Sequence, residues 1–133
     1  MIGYSMRLAV FLMTLAMILG CGKTNTAPEG GPPASTYFTD LKFLLEQFEK
    51  DKKRAPARMS DVMEYEPSYP GAVHKLNTGD VIYAWGNPLG SGTGILAYGR
   101  NVGTEGGPVL LQDGTVKDMT ANEFATAPKV TKK

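Results

Sequence analysis

The chain has 133 residues, 42% hydrophobic and 20% charged, with a formal net charge of +1. This is enough for one small domain with appendages. With Arg7 set aside, thirteen basic residues face thirteen acidic ones, so nothing in the charge balance supports binding to nucleic acid or electrostatic attraction to an anionic membrane. The single cysteine, Cys21, cannot form an internal disulfide.

Arg7 is followed by "LAVFLMTLAMIL" (8–19), twelve residues without a charge. A spanning helix needs about twenty apolar residues. The run is short for that purpose and has the length of the apolar segment of an export signal, with a positive charge ahead of it. It closes on Ile18, Leu19, Gly20 and Cys21: an aliphatic residue, a further apolar one, a small one and a thiol. This resembles the lipobox of bacterial lipoproteins. The resemblance implies a signal peptide over 1–20, cleavage between Gly20 and Cys21, a diacylglycerol on the Cys21 thiol and an acyl group on the new amino terminus. The partner so implied is a membrane, held through lipidated Cys21. Gly22 stands where an Asp would favour inner-membrane retention in the enterobacterial rule, so the expected location is the outer membrane of the cell envelope.

The segment 21–35 is rich in Gly, Pro, Ser and Thr and reads as a flexible linker. The fourteen residues after Cys21 would span roughly 20 Å as a coil. "TYFTDLKFLLEQFEKDKKR" (36–54) is the clearest helix: Leu41, Leu44, Leu45 and Phe48 recur at i, i+3, i+4 and i+7, with Tyr37 one turn earlier. Glu46 to Lys50 and Glu49 to Lys53 are helix-compatible ion pairs, the basic end suits the helix dipole, and Pro56 stops the helix.

"MSDVMEYE" (59–66) reads as one short helical turn, and Pro67, Pro70 and Gly71 mark a loop. The hydrophobic period then changes. "AVHKL", "DVIYAW", "GILAYG", "GPVLLQ" and "TVKDM" are short apolar or alternating runs between turn residues, which predicts an antiparallel meander. Asp113 and Gly114 form the strongest hairpin signal, a structural turn in which Gly accepts positive φ. Thr120 and Glu123 offer a capping box for a short final helix. The expected fold is therefore α+β over 36–127, one N-terminal amphipathic helix packed on a small antiparallel β-meander with a short C-terminal helix. The apolar stripe of the long helix would meet Val81, Tyr83 or Ile82, Leu96, Val109, Leu111 and Val116. "PKVTKK" (128–133) reads as a disordered tail.

Two stretches carry a further likeness. "LKFLLEQFEKDKKRAPARMSDVMEYE" and "ILAYGRNVGTEGGPVLLQDGTVKDMTANEF" resemble the helix, basic turn and closing hairpin of the type II secretion major pseudopilins. They resemble still more the pseudopilin-like bacterial proteins with a His-X9-Asp-Gly element. Together they span somewhat under half of the chain. The resemblance implies a pseudopilin-like domain, a place in a secretion or pilus-type assembly, and calcium bound near the C-terminus. This chain departs from the pattern: Gly103 stands where the signature His would be, the only histidine is His74, and the apolar run holds no glutamate of a prepilin-peptidase site. A lipid-anchored relative fits these residues better than a filament subunit. No ligand spacing among Asp80, Glu105, Asp113 and Asp118 supports a calcium set.

No catalytic motif accompanies these features, so the expectation is a non-enzymatic envelope component with no cofactor and no metal, and an envelope protein as a possible second partner. "GNPLGSGTGI" (86–95) lacks the Gly-Lys-Ser/Thr ending of a phosphate loop and leads into strand-like sequence, which makes it a hairpin connection. Ser91 lies in no Gly-x-Ser-x-Gly pentapeptide, and His74 has no neighbouring ligand for zinc. Trp85, Tyr83 and Tyr98 fit a half-buried sheet, with an exposed binding face as the alternative.

Overall fold

The computed structural model describes residues 33–131. The expected signal peptide, the expected cleavage site at Gly20, the expected lipid attachment at Cys21 and the expected linker as far as residue 32 lie outside the described residues.

The long helix, α1 (Ala34–Lys52), begins after Pro33, two residues inside the expected linker. Its buried face is Phe38, Leu41, Leu44, Leu45 and Phe48. Phe38 rather than Tyr37 continues the stripe, because 38, 41, 45 and 48 keep to the 3.6-residue period. Lys53 closes the helix in the left-handed region (φ 58°), donating its N–H to Glu49 O. The expected Glu46–Lys50 and Glu49–Lys53 pairs are replaced: Glu46 meets Lys42 at 3.8 Å, and Glu49 accepts the Leu89 N–H at 2.8 Å. Helix α2 (Met59–Val62) runs into a 3-10 turn (Met63–Tyr65), which is the short helical turn expected there.

One expectation is overturned in this region. "AVHKL", read as a strand, lies within the helix α3 (Pro70–Thr78). Pro70 sits at the first helical turn, where its fixed φ and missing N–H are harmless. Ala72, Val73 and Leu76 then form a one-turn apolar stripe, and Gly79 ends the helix at φ 77°. Pro70 and Gly71 therefore start an element where a loop was expected.

Strands β1 (Val81–Tyr83), β2 (Ile95–Gly99), β3 (Gly107–Leu111) and β4 (Val116–Met119) form one antiparallel sheet in the order β1-β2-β3-β4. The meander is as expected, with four strands in place of five runs. Between β2 and β3 lies helix α4 (Val102–Glu105), and α5 (Ala121–Thr126) follows β4. The capping box forms: Thr120 Oγ1 accepts from Glu123 N at 3.1 Å, and Glu123 Oε2 accepts from Thr120 N at 2.7 Å.

Both faces of the sheet are covered, which the two-layer expectation missed. Leu96 and Leu110, with Val81 and Tyr83, join the α1 and α3 residues and Val62 in one core. Val109 and Leu111, expected against α1, point the other way and pack with Ile95, Val102, Met119 and Phe124. Neighbours on a strand face opposite sides, so a register one residue away exchanges the two sets. Burial on both faces explains why Val109, Leu110 and Leu111 are all buried in succession.

Candidate functional site

The predicted turn residues are structural. Leu111 O accepts the Gly114 N–H (3.0 Å), Gly114 takes φ 89°, and Leu111 N donates to Thr115 O (2.8 Å). This is a tight turn followed by a glycine bulge, the form in which only the glycine needs positive φ. Asp113 Oδ1 accepts from Thr115 N at 2.9 Å, and that bond holds its carboxyl below the usual range. Gly20 and Cys21 lie outside the described residues.

The other singled-out residues do not converge. His74 is exposed on α3. Asp80 takes Lys75 Nζ and Arg100 Nη2, each at 3.1 Å. Among the described residues, no three His, Cys, Asp or Glu side chains group as metal ligands. Asp61 ties the α1–α2 corner, accepting from Arg54 Nη1 and from Ala57 N, each at 2.9 Å. Those two bonds, the Arg54 one first, push its carboxyl down to about 2.

The residues that do converge surround the β1–β2 connection. It joins antiparallel neighbours and leads into β2 rather than a helix, so its glycines build a hairpin connection. The loop is pinned at several points: Gly86 N to Pro56 O (2.8 Å), Leu89 N to Glu49 Oε1 (2.8 Å) and Gly90 N to Gln112 O (2.8 Å). Burial raises the Glu49 carboxyl despite the opposing effect of the Leu89 N–H.

Beside this loop, a groove of about 440 Å³ runs along β1, lined by Leu76, Ile82, Tyr83, Trp85, Tyr98 and Val130 among others. Tyr83 is buried and Trp85 is half-buried, their rings edge to face at 4.9 Å between centroids. Tyr98 packs on Phe124 at the same centroid distance. Ile82 is 39% exposed. Tyr83 and Tyr98 thus belong to the sheet, Trp85 follows β1 in the connection, and all three line the open end. The Tyr83 hydroxyl donates to Asn87 O, and burial keeps its proton bound well above the ordinary phenol range.

Asn87 is the one buried polar side chain among the described residues. Its Nδ2 donates to Ala84 O (3.0 Å) and to Thr131 O (2.7 Å). The second bond reaches the segment expected to be a disordered tail. Pro128–Thr131 instead lie against the sheet: Ile95 N donates to Pro128 O (2.9 Å) and Val130 N to Ile95 O (3.0 Å), a parallel bridge to β2. Val130 packs on the larger core. Lys129 Nζ donates to Phe124 O at 2.7 Å and stands 4.3 Å from the Phe124 ring centroid.

Sequence reasoning missed Asn87 and this strap. The available signals were slight: one amide between an aromatic run and a proline in "WGNP", and one β-branched residue in "PKVTKK".

Comparison with known proteins adds no relative: no family model, no curated protein and no solved structure matches the chain. Among the described residues no helix is long and apolar enough to cross a membrane. The groove itself offers mainly apolar and aromatic surface.

Proposed function

We propose that this chain is an exported lipoprotein of the bacterial cell envelope, anchored through an acylated Cys21, whose α+β domain acts without catalysis as a binding or assembly component. The observation that carries this reading is the charge-free run after Arg7 that ends on Ile18-Leu19-Gly20-Cys21. Each buried methylene of an acyl chain contributes about 0.8 kcal/mol to membrane attachment, and two lipid signals already anchor a protein stably. The start of α1 at Ala34 leaves the twelve residues 22–33 as a tether, roughly 20 Å long if flexible. That length holds the domain near a bilayer without fixing its orientation. The groove along β1, with exposed Ile82 and half-buried Trp85, is the surface offered to an envelope partner. Outer-membrane sorting follows from Gly22 after the cysteine.

A second reading is a pseudopilin-like subunit of a secretion or pilus-type assembly. It is favoured by a long amphipathic helix followed by an antiparallel meander that closes on an Asp-Gly hairpin. Metabolic labelling with a radiolabelled fatty acid separates the two, in cells making the natural chain and the Cys21→Ser chain. The lipoprotein reading predicts label on the natural chain and none on the Cys21→Ser chain. A filament subunit held by its apolar N-terminal segment would carry no label in either.

A further inference from the structure

The C-terminal segment occupies its slot much as a peptide ligand occupies a sheet edge. β1 pairs with β2 as far as Tyr83↔Ala97, and Ala84 N still donates to Leu96 O at 2.9 Å. The chain then turns away, and Pro128–Val130 take the vacated position beside Ile95. Three fixed features define the slot. Ile95 offers an N–H and a carbonyl, and both are used. Gly94 leaves a notch, since a Cβ there would stand 2.9 Å from Val130 Cγ2. Asn87, already buried and bonded to Ala84 O, presents its amide to Thr131 O.

All three features belong to residues 87–95. The segment that fills them hangs from α5 through Ala127 and is anchored by a single apolar side chain, Val130. Lys129 Nζ, which at home donates to Phe124 O, meets the same carbonyl of the receiving copy. A segment held by so few contacts opens at the low end of the stability range. Exchange of an identical element between copies preserves every contact it made at home. The lysines at 129, 132 and 133 disfavour indiscriminate edge pairing and leave the fitted segment as the matching ligand.

We propose that Asn87, Gly94 and Ile95 form a strand-acceptor site whose second occupant is Pro128–Thr131 of another copy of this chain, making the strap an exchangeable link between copies. The fit of this segment to the slot is what selects the occupant: a β-branched residue over the Gly94 notch, with a main-chain carbonyl one residue later to take the Asn87 amide.

Two full-length variants test this by complementation. In Gly94→Val the notch is filled and the strap is evicted. Gly94 is not among the residues with positive φ, so the backbone accepts the change. In Val130→Asp the slot is open, but the strap cannot seat. Each chain is labelled with a different fluorophore, checked for its folded state by circular dichroism, and read by energy transfer. The expected result is saturable transfer at equimolar stoichiometry in the mixture, with none when either variant is labelled and mixed with itself. No transfer between the two folded variants overturns the proposal. Equal transfer in homotypic and mixed samples also overturns it, because the copies then meet elsewhere. If either variant does not fold, the milder pair Gly94→Ala and Val130→Ser is read by the same criteria.

Discussion

On one face of the sheet, α1 and α3 cover a continuous core that runs from Phe38 through Leu44 and Val62 to Leu96 and Leu110. On the other face, helices of four and six residues bring Val102 and Phe124 over Ile95, Val109, Leu111 and Met119. The β1 end of the sheet stays open as the groove beside Ile82 and Trp85. The first face has the larger cluster and a nineteen-residue helix to build it. The second has small elements closed by a cap, while the strap spans the two, with Val130 on the larger core. The first face therefore sets most of the stability, and the second is expected to open more readily.

Truncation at each centre breaks or sharpens this contrast. Phe38→Ala empties a buried site of the larger cluster and is expected to cost about 3–5 kcal/mol in urea denaturation, the usual range for a core phenylalanine. Phe124→Ala, at 9% exposure on the rim of the smaller cluster, should cost only about 2 kcal/mol because neighbours and water can fill the space. Equal losses would remove the distinction between the faces.

Asn87→Ala comes next. It strips the amide bonds to Ala84 O and Thr131 O, and leaving buried groups unpaired costs about 1–3 kcal/mol. Hydrogen exchange should accelerate at Ile95 and Val130 while the α1 amides keep their protection. Uniform acceleration across α1 would mean that the strap and the main core open as one unit. Thr120→Ala removes the capping box of α5 and should cost about 1 kcal/mol, visible as faster exchange confined to residues 121–126.

The last effect is confined to acid. The Asp61 carboxyl is held at about 2 against an ordinary 3.8, so the folded chain binds its proton less readily than the unfolded chain does. The stabilisation is present above the unfolded value and is lost as pH falls from about 4 through about 2. Asp61→Asn should flatten that part of the melting temperature against pH profile. An unchanged acid limb would show that the Arg54 and Ala57 bonds do not persist in solution.

The contrast between faces also explains what could be read from sequence. The stripe on α1 was legible because it repeats over about three turns of one helix and needs no partner to define it. Asp113-Gly114 and Thr120/Glu123 were legible because turns and caps are local chemistry. The split between Leu110 and its neighbours Val109 and Leu111 was not legible, since three successive apolar residues carry no alternation to fix which side faces α1. The α3 helix was misread because five residues, "AVHKL", are too few to distinguish a helical turn from a strand, and the Pro-Gly ahead of them looked like a break. The strap was hidden for a different reason. Its docking depends on a hydrogen bond across forty-four positions, from Asn87 to Thr131, and no local pattern encodes that contact. The groove follows from the same long-range placement, so the aromatic residues could be assigned to the sheet but not to its open end.

The most direct test of the account as a whole is the intact mass of the mature protein purified from its own membranes. The account predicts a chain that begins at Cys21 and carries the added mass of a diacylglycerol and an acyl group. An unmodified Cys21 thiol, on a chain cut elsewhere or not cut at all, would contradict it.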